Sequence, residues 1–180
     1  MEKTKIIFLI EPHQIILLFG ETIHVFAFNE HEIVKSTISN PTKIKNMVRK
    51  FLRQKRLEDL PGIVVFCNNV VQEQLVASPD LHMDLASRMY VKSSMNQSLN
   101  YLAMLEPELL LQYQILFGQI GIYVELFTTL NLLHIKNLLS IDSNSLNNTN
   151  SLDELHLVTK SNSADLYLKI VHAVEKISNI

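Results

Sequence analysis

The 180-residue chain is 47% hydrophobic and 19% charged, with a formal charge of -2 and one cysteine. That composition suits a globular protein with one core of ordinary size, or two small subdomains sharing an interface. It excludes an internal disulfide, gives no global attraction to nucleic acid or acidic membranes, and holds no apolar run near the ~20 residues of a spanning helix.

The N-terminal MEKTKIIFLIEPHQ begins like a signal peptide, with two lysines before an apolar run. Glu11-Pro12-His13 ends that run early and no small-residue cleavage site follows, so the cytoplasm is the expected location. KIIFLI (5–10) and QIILLF (14–19) are apolar runs joined by this tight turn, and TIHVFAF (22–28) follows Gly20-Glu21. Two-residue turns between apolar runs mark hairpins. The second run is apolar on both faces and belongs in mid-sheet, covered on both sides. Residues Glu32 to Thr37 extend the meander as a fourth piece.

Asn40-Pro41 opens a helix, with Asn40 as N-cap and proline at the first helical position. Ile44, Met47, Val48, Phe51 and Leu52 fall on one apolar stripe. The opposite side carries Lys43, Lys45, Arg49, Lys50, Arg53, Lys55 and Arg56, seven of the chain's 16 basic residues. Pro61-Gly62 ends the connection, and IVVFC (63–67) reads as a buried strand containing Cys67 as a structural thiol. The preceding helix lets that strand lie parallel to an earlier one.

A short helix is expected over Leu81 to Tyr90 and a strand over SLNYLAML (98–105). Glu106-Pro107-Glu108 starts a helix, because acidic residues favour the positive end of its dipole. Leu109, Tyr113, Leu116, Phe117 and Ile120 form its apolar face, and Gly121 suits the left-handed position after it. IYVELF (122–127) is a strand, and Thr128 or Thr129 caps a helix to about Leu139. The asparagine- and serine-rich SIDSNSLNNTNS (140–151) is a linker. ELHLVTK (154–160) and residues 162–177 are a last strand and helix.

These elements predict an α/β fold: a ribonuclease-H-like or actin-like sheet (three-strand meander, helix, parallel strand) with a second small α+β subdomain. The expected division is 1–78 for the first subdomain, 79–140 for an inserted α+β subdomain and 141–153 for the linker. Residues 154–180 would pack back on the first subdomain.

Chemistry-bearing motifs are sparse. Four glycines, Gly20, Gly62, Gly118 and Gly121, are well below the average usage of about 7%. No GxxxxGK[ST] or GxGxxG is present, which disfavours a phosphate-cradling loop. Glu11 reads as a turn residue rather than a nuclease carboxylate, because Asn68-Asn69 at the end of the later strand are neutral and two-metal hydrolysis needs several acids. His13, His24 and His31 are spaced too widely for one ligand pair, and His82-Met83-Asp84 has no partners in view, so no metal site is expected. No G-x-S-x-G elbow supports a Ser-His-Asp triad. The basic helix is the one concentrated charge, with Lys45, Arg49, Arg53 and Arg56 as candidate contacts for an anionic surface. Aromatic residues do not interleave with these charges, which weakens single-strand nucleic-acid binding.

The hairpin, third strand, helix and parallel strand are similar to the opening subdomain of actin-like ATPases. LLLQYQILFGQIGIYVELFTTLNLLHIKNLL (109–139) resembles a segment of PilM-type type IV pilus assembly proteins. There a long helix ends at glycine, a short strand follows, and a further helix begins near Thr or Pro. Gly121-Ile122-Tyr123-Val124 and Thr128–Leu139 carry that likeness, which spans roughly residues 3–140. It implies a cytoplasmic protein that holds the short cytoplasmic tail of an inner-membrane pilus protein. It also implies ATP between two lobes, but the family's first phosphate loop is similar to Asp-x-Gly followed by Ser or Thr, and Glu11, Pro12 and His13 stand there instead. Too little chain follows residue 140 for the second lobe.

The expectation is therefore a shortened, non-catalytic scaffold of pilus or secretion assembly with no cofactor. Its partner would be a peptide segment of an inner-membrane protein, with a homodimer or a partner subunit covering leftover apolar surface and the membrane met only peripherally. The alternative is a ribonuclease-H-like nucleic-acid-binding or processing domain using basic helix 43–56, although nucleic acid is not the expected partner.

Overall fold

A computed structural model describes residues 5–29, 33–34, 37–67, 70–77, 89–94, 99–135 and 170–171. β1 (Ile6–Glu11) and β2 (Gln14–Phe19) pair antiparallel, Ile10 opposite Ile15, around the Pro12-His13 turn. β3 (Thr22–Ala27) pairs antiparallel with β2 after a turn in which Gly20 takes φ +53°. A left-handed residue there matches the twist of the flanking strands, and glycine adopts it without a Cβ penalty.

The expected fourth meander strand is instead a separate two-stranded piece, β4 (Ile33–Val34) and β5 (Thr37–Ile38), which pair with each other. The Ile38 amide donates to the Gln112 side-chain oxygen at 3.1 Å, tying this piece toward a later helix rather than to β3.

α1 (Pro41–Lys55) then carries the chain back, so that β6 (Gly62–Phe66) lies parallel to β1. Next come β7 (Gln72–Ala77), β8 (Met89–Ser94) and β9 (Leu99–Leu105), a separate antiparallel sheet in the order β7-β9-β8. Met89 and Tyr90, expected at the end of a helix, therefore begin a strand that pairs with β9. The rest of that expected helix lies outside the described residues.

α2 (Pro107–Ile120) leads to β10 (Val124–Thr129), which adds parallel to β6, and α3 (Leu130–Ile135) follows. β10 starts two residues later than expected because the Ile122 amide donates to Phe117 O at 3.0 Å in closing α2. The register with β6 shifts between Val124 and Leu126. Glu125, in that irregularity, pairs with Lys5 at 2.7 Å. The expected linker 141–153, the strand 154–160 and the last helix apart from Ile170 and Val171 lie outside the described residues.

The five-stranded sheet has the order β10-β6-β1-β2-β3. Only β2 runs against the other central strands, the arrangement of an actin-like or ribonuclease-H-like α/β fold. Ile6, Phe8, Ile10, Ile15, Leu17, Val64 and Phe66 face α1 and α2, meeting Ile44, Val48, Leu52, Tyr113 and Phe117. Ile7, Leu9, Ile16, Leu18, Ile63, Val65 and Cys67 face the other way, against Leu130, Leu133 and Ile170. Both faces of β1, β2 and β6 are thus dry, which explains why these strands read as continuous apolar runs.

Candidate functional site

α1 is specified at both ends. The Asn40 side chain accepts from the Lys43 amide at 3.1 Å and Pro41 occupies the first turn. At the other end Arg56 takes the left-handed conformation, φ 57° and ψ 44°, and the Leu57 amide donates to Leu52 O at 2.9 Å. Leu57 is buried, which supplies the hydrophobic contact usual after such a helix end.

Arg56 is the unusual part of this cap, since glycine is the residue that reaches the left-handed region without strain. Arg56→Gly is expected to raise stability by about 1 kcal/mol, the left-handed penalty less the added chain entropy of glycine. A denaturant melt checks this, and a loss of stability would contradict it.

Ile44, Val48 and Leu52 are buried along the length of α1, so the helix lies flat on the sheet. At ~100° per residue, Lys45, Arg49 and Arg53 fall within about 80° of arc, Lys43 and Lys50 widen the cationic face to about 160°, and Arg56 follows as the left-handed cap. Arg49, Arg53 and Arg56 are exposed and Lys45 is half-buried. Arg53 Nε meets Glu58 Oε1 at 2.9 Å, both side chains in solvent. Such an exposed pair contributes little to stability.

Three of the four expected contacts, Lys45, Arg49 and Arg53, form a stripe along α1, and Arg56 caps it. An open depression lies on the neighbouring side of α1, lined by Asn40, Thr42, Lys43, Asn46, Met47 and Lys50. Of the helix's cations, Lys43 and Lys50 line this depression and the four residues singled out from the sequence do not.

Between α1 and β3, His24 stacks on Phe51 with ring centroids 3.9 Å apart and meets the edge of Phe26 at 4.5 Å. Burial, and then the nearby Lys55 charge, lower its pKa below the ordinary 6.5. The folded state thus disfavours the imidazolium, and the unfolded chain takes up the proton first as pH drops. The contribution of His24 is complete above about 6.5 and declines as pH falls below that value. His24→Phe keeps a stacked ring and removes the titration. Its melting temperature is expected to fall less than that of the parent between pH 8 and pH 5, and an equal fall would contradict this origin.

The β1–β2 turn offers little to a phosphate. Glu11 accepts a short hydrogen bond from the Gln14 amide group. Pro12 has no N–H to donate, and His13 uses its carbonyl to accept from the Phe28 amide at 2.9 Å. Among the described residues no cluster of three His, Cys, Asp or Glu could hold a metal ion. Thr129 Oγ1 accepts from the Leu132 amide at 3.2 Å, capping α3 as its position suggested.

Leu111 and Ile115 project from α2 at 53% and 51% exposure, and Tyr123 just beyond it at 74%. The sequence signal was the apolar run 109–111, more than one helix face can bury. Among the described residues no helix is long and apolar enough to cross a membrane.

The architecture is thus an actin-like or ribonuclease-H-like α/β fold with a smaller subdomain. No family model matches the sequence, and no curated protein does. Among solved structures it is similar to a chain of a PilM–PilN type IV pilus biogenesis complex, with TM-score 0.58 and 8% identity. The match covers 76% of this chain and 50% of that one, so the chain spans about half the length of this relative. Weaker likenesses are to the cytoplasmic domain of EpsL, an inner membrane component of the type II secretion system of Vibrio cholerae, and to a Bacteroides thetaiotaomicron protein with an actin-like ATPase fold. The first has TM-score 0.46 and 8% identity over 72% of this chain and 58% of that one. The second has TM-score 0.37 and 5% identity over 76% and 56%.

Proposed function

We propose that the chain is a non-catalytic scaffold of pilus or secretion-system assembly. It works in the cytoplasm at the inner-membrane face and holds a peptide segment of an inner-membrane protein. The observation that carries this reading is the backbone likeness to a component of a PilM–PilN complex over 76% of the chain.

The chemistry of the first hairpin turn supports a role without nucleotide turnover. A carboxylate tied to Gln14, a proline and an engaged carbonyl occupy the first hairpin turn, where a phosphate would need converging amides. Leu111, Ile115 and Tyr123 leave apolar surface in solvent, which favours a binding role over that of an isolated monomer.

Affinity purification of the tagged chain from detergent-solubilised membranes tests the proposal. Recovery of a pilus or secretion membrane protein is the expected result. Recovery of soluble proteins alone would overturn it.

A further inference from the structure

We propose that the outward face of α1 is a docking surface for an anionic lipid bilayer, which sets the orientation of the chain at the membrane. The inference rests on the proposed place at the inner-membrane face and adds a lipid contact to the protein one.

The first support is charge asymmetry. Residues 43–56 hold seven cations and no acid, leaving nine cations against all 18 acidic residues in the rest of the chain. A polyanion is therefore attracted to one face and repelled by the remainder, which orients the approach as well as driving it.

The second support is that the cations of the first turns sit where helix physics disfavours them, while Arg53 and Lys55 suit the last turn. The first turn of α1 has no acidic residue, and Lys43 and Lys45 lie near the positive end of the dipole. Lys45–Arg49 and Arg49–Arg53 are like-charged pairs at i, i+4, and Lys50–Arg53 at i, i+3. Each such pair weakens the helix. Arg56 adds a left-handed backbone that glycine would take without strain. A solvated face needs none of these, whereas an opposing layer of phosphates offsets the repulsion.

Geometry favours a bilayer over nucleic acid. Burial of Ile44, Val48 and Leu52 along α1 leaves a shallow face ~22 Å long rather than a protruding end. A major groove ~12 Å wide takes in a helix that projects from its domain. Single strands need stacking aromatics, and the one aromatic of α1, Phe51, is engaged with His24 and Phe26. The one apolar side chain in the depression's lining, Met47, is half-buried against the core, so the contact is electrostatic adsorption at headgroup level and is screened by salt.

Flotation of the whole chain with vesicles of phosphatidylcholine containing phosphatidylglycerol, compared with phosphatidylcholine alone, tests the surface. Binding is expected to the anionic vesicles only and to be lost at high salt. Arg49→Gln with Lys50→Gln is expected to lower partitioning roughly thirtyfold, from the usual gain per cation near a charged membrane. Lys43→Gln with Lys50→Gln is a second variant on exposed positions and should lose a similar amount.

Equal binding to neutral vesicles, no binding to either, or unchanged partitioning of both variants would overturn the proposal. So would tighter binding to duplex DNA at the same salt, which would assign the face to nucleic acid. Because the vesicles contain no protein, a negative result leaves the scaffold reading standing. Recovery of the membrane partner by both variants would likewise separate the two.

Discussion

Phe8→Ala is expected to destabilise the fold by about 3–5 kcal/mol, the range for truncating a buried phenylalanine. Phe8 is fully buried at the middle of β1, opposite Leu17 on β2 and beside Val64 on β6. Its ring centroid lies 4.6 Å from that of Phe117, so it joins the central strand to α2. Truncation removes contacts on the sheet and the helix together, and three paired strands cannot collapse into the gap without losing register. Leu111→Ala, on the exposed side of α2, should change stability by only about 0.5 kcal/mol. Denaturant midpoints at constant slope measure both, and similar losses for the two variants would contradict this placement of the core.

Gly62→Ala is the second large effect, of about 1–3 kcal/mol, and it arises from overpacking. A Cβ at Gly62 would stand 2.7 Å from Ile122 Cγ2 and 3.3 Å from Phe8 Cε2. Neither neighbour has room to yield, since both are buried in the same core. The Gly62 amide also donates to Tyr123 O at 2.8 Å, fixing the approach of the segment that enters β10. The alanine variant should therefore unfold at lower denaturant with β10 and α3 loosened first, visible as faster amide exchange there. A variant as stable as the parent would mean that the chain between α2 and β10 packs less tightly than the structure shows.

Both predictions concern elements legible in the sequence, the β1–β2 hairpin and the parallel placement of β6 among them, whereas the place of β10 beside β6 was not. The strands 5–10, 14–19 and 63–67 stand out because each is buried on both faces, and α1 stands out because Asn40-Pro41 and a clean apolar stripe mark it. Periodicity is local, however, and does not say which sheet a strand joins. Leu99–Leu105 and Val124–Thr129 flank the same helix, yet one pairs with β7 and β8 and the other extends the main sheet. Gln72-Glu73-Gln74 gives no strand signal, because it lacks the β-branched residues and alternation on which such readings depend.

The candidate site divides in the same way. Seven cations without an acid are visible in the residues alone. The left-handed Arg56 is not, because nothing local distinguishes it from an ordinary last helical residue. The stacking of His24 on Phe51 joins residues 27 positions apart in the sequence and depends on how α1 crosses β3. The exposed Leu111 and Ile115 were half legible: the excess of apolar residues showed, but not which of them would be left outside.

The central claim joins two statements, that the chain holds a segment of a membrane protein and that it does so without nucleotide chemistry. Calorimetric titration of the purified chain with the cytoplasmic segments of the recovered membrane partner, with and without ATP and magnesium, tests both at once. The expected result is saturable binding of one segment, unchanged by the nucleotide, with no shift in melting temperature on adding ATP alone. Binding that requires ATP, or no binding by any cytoplasmic segment, would contradict it.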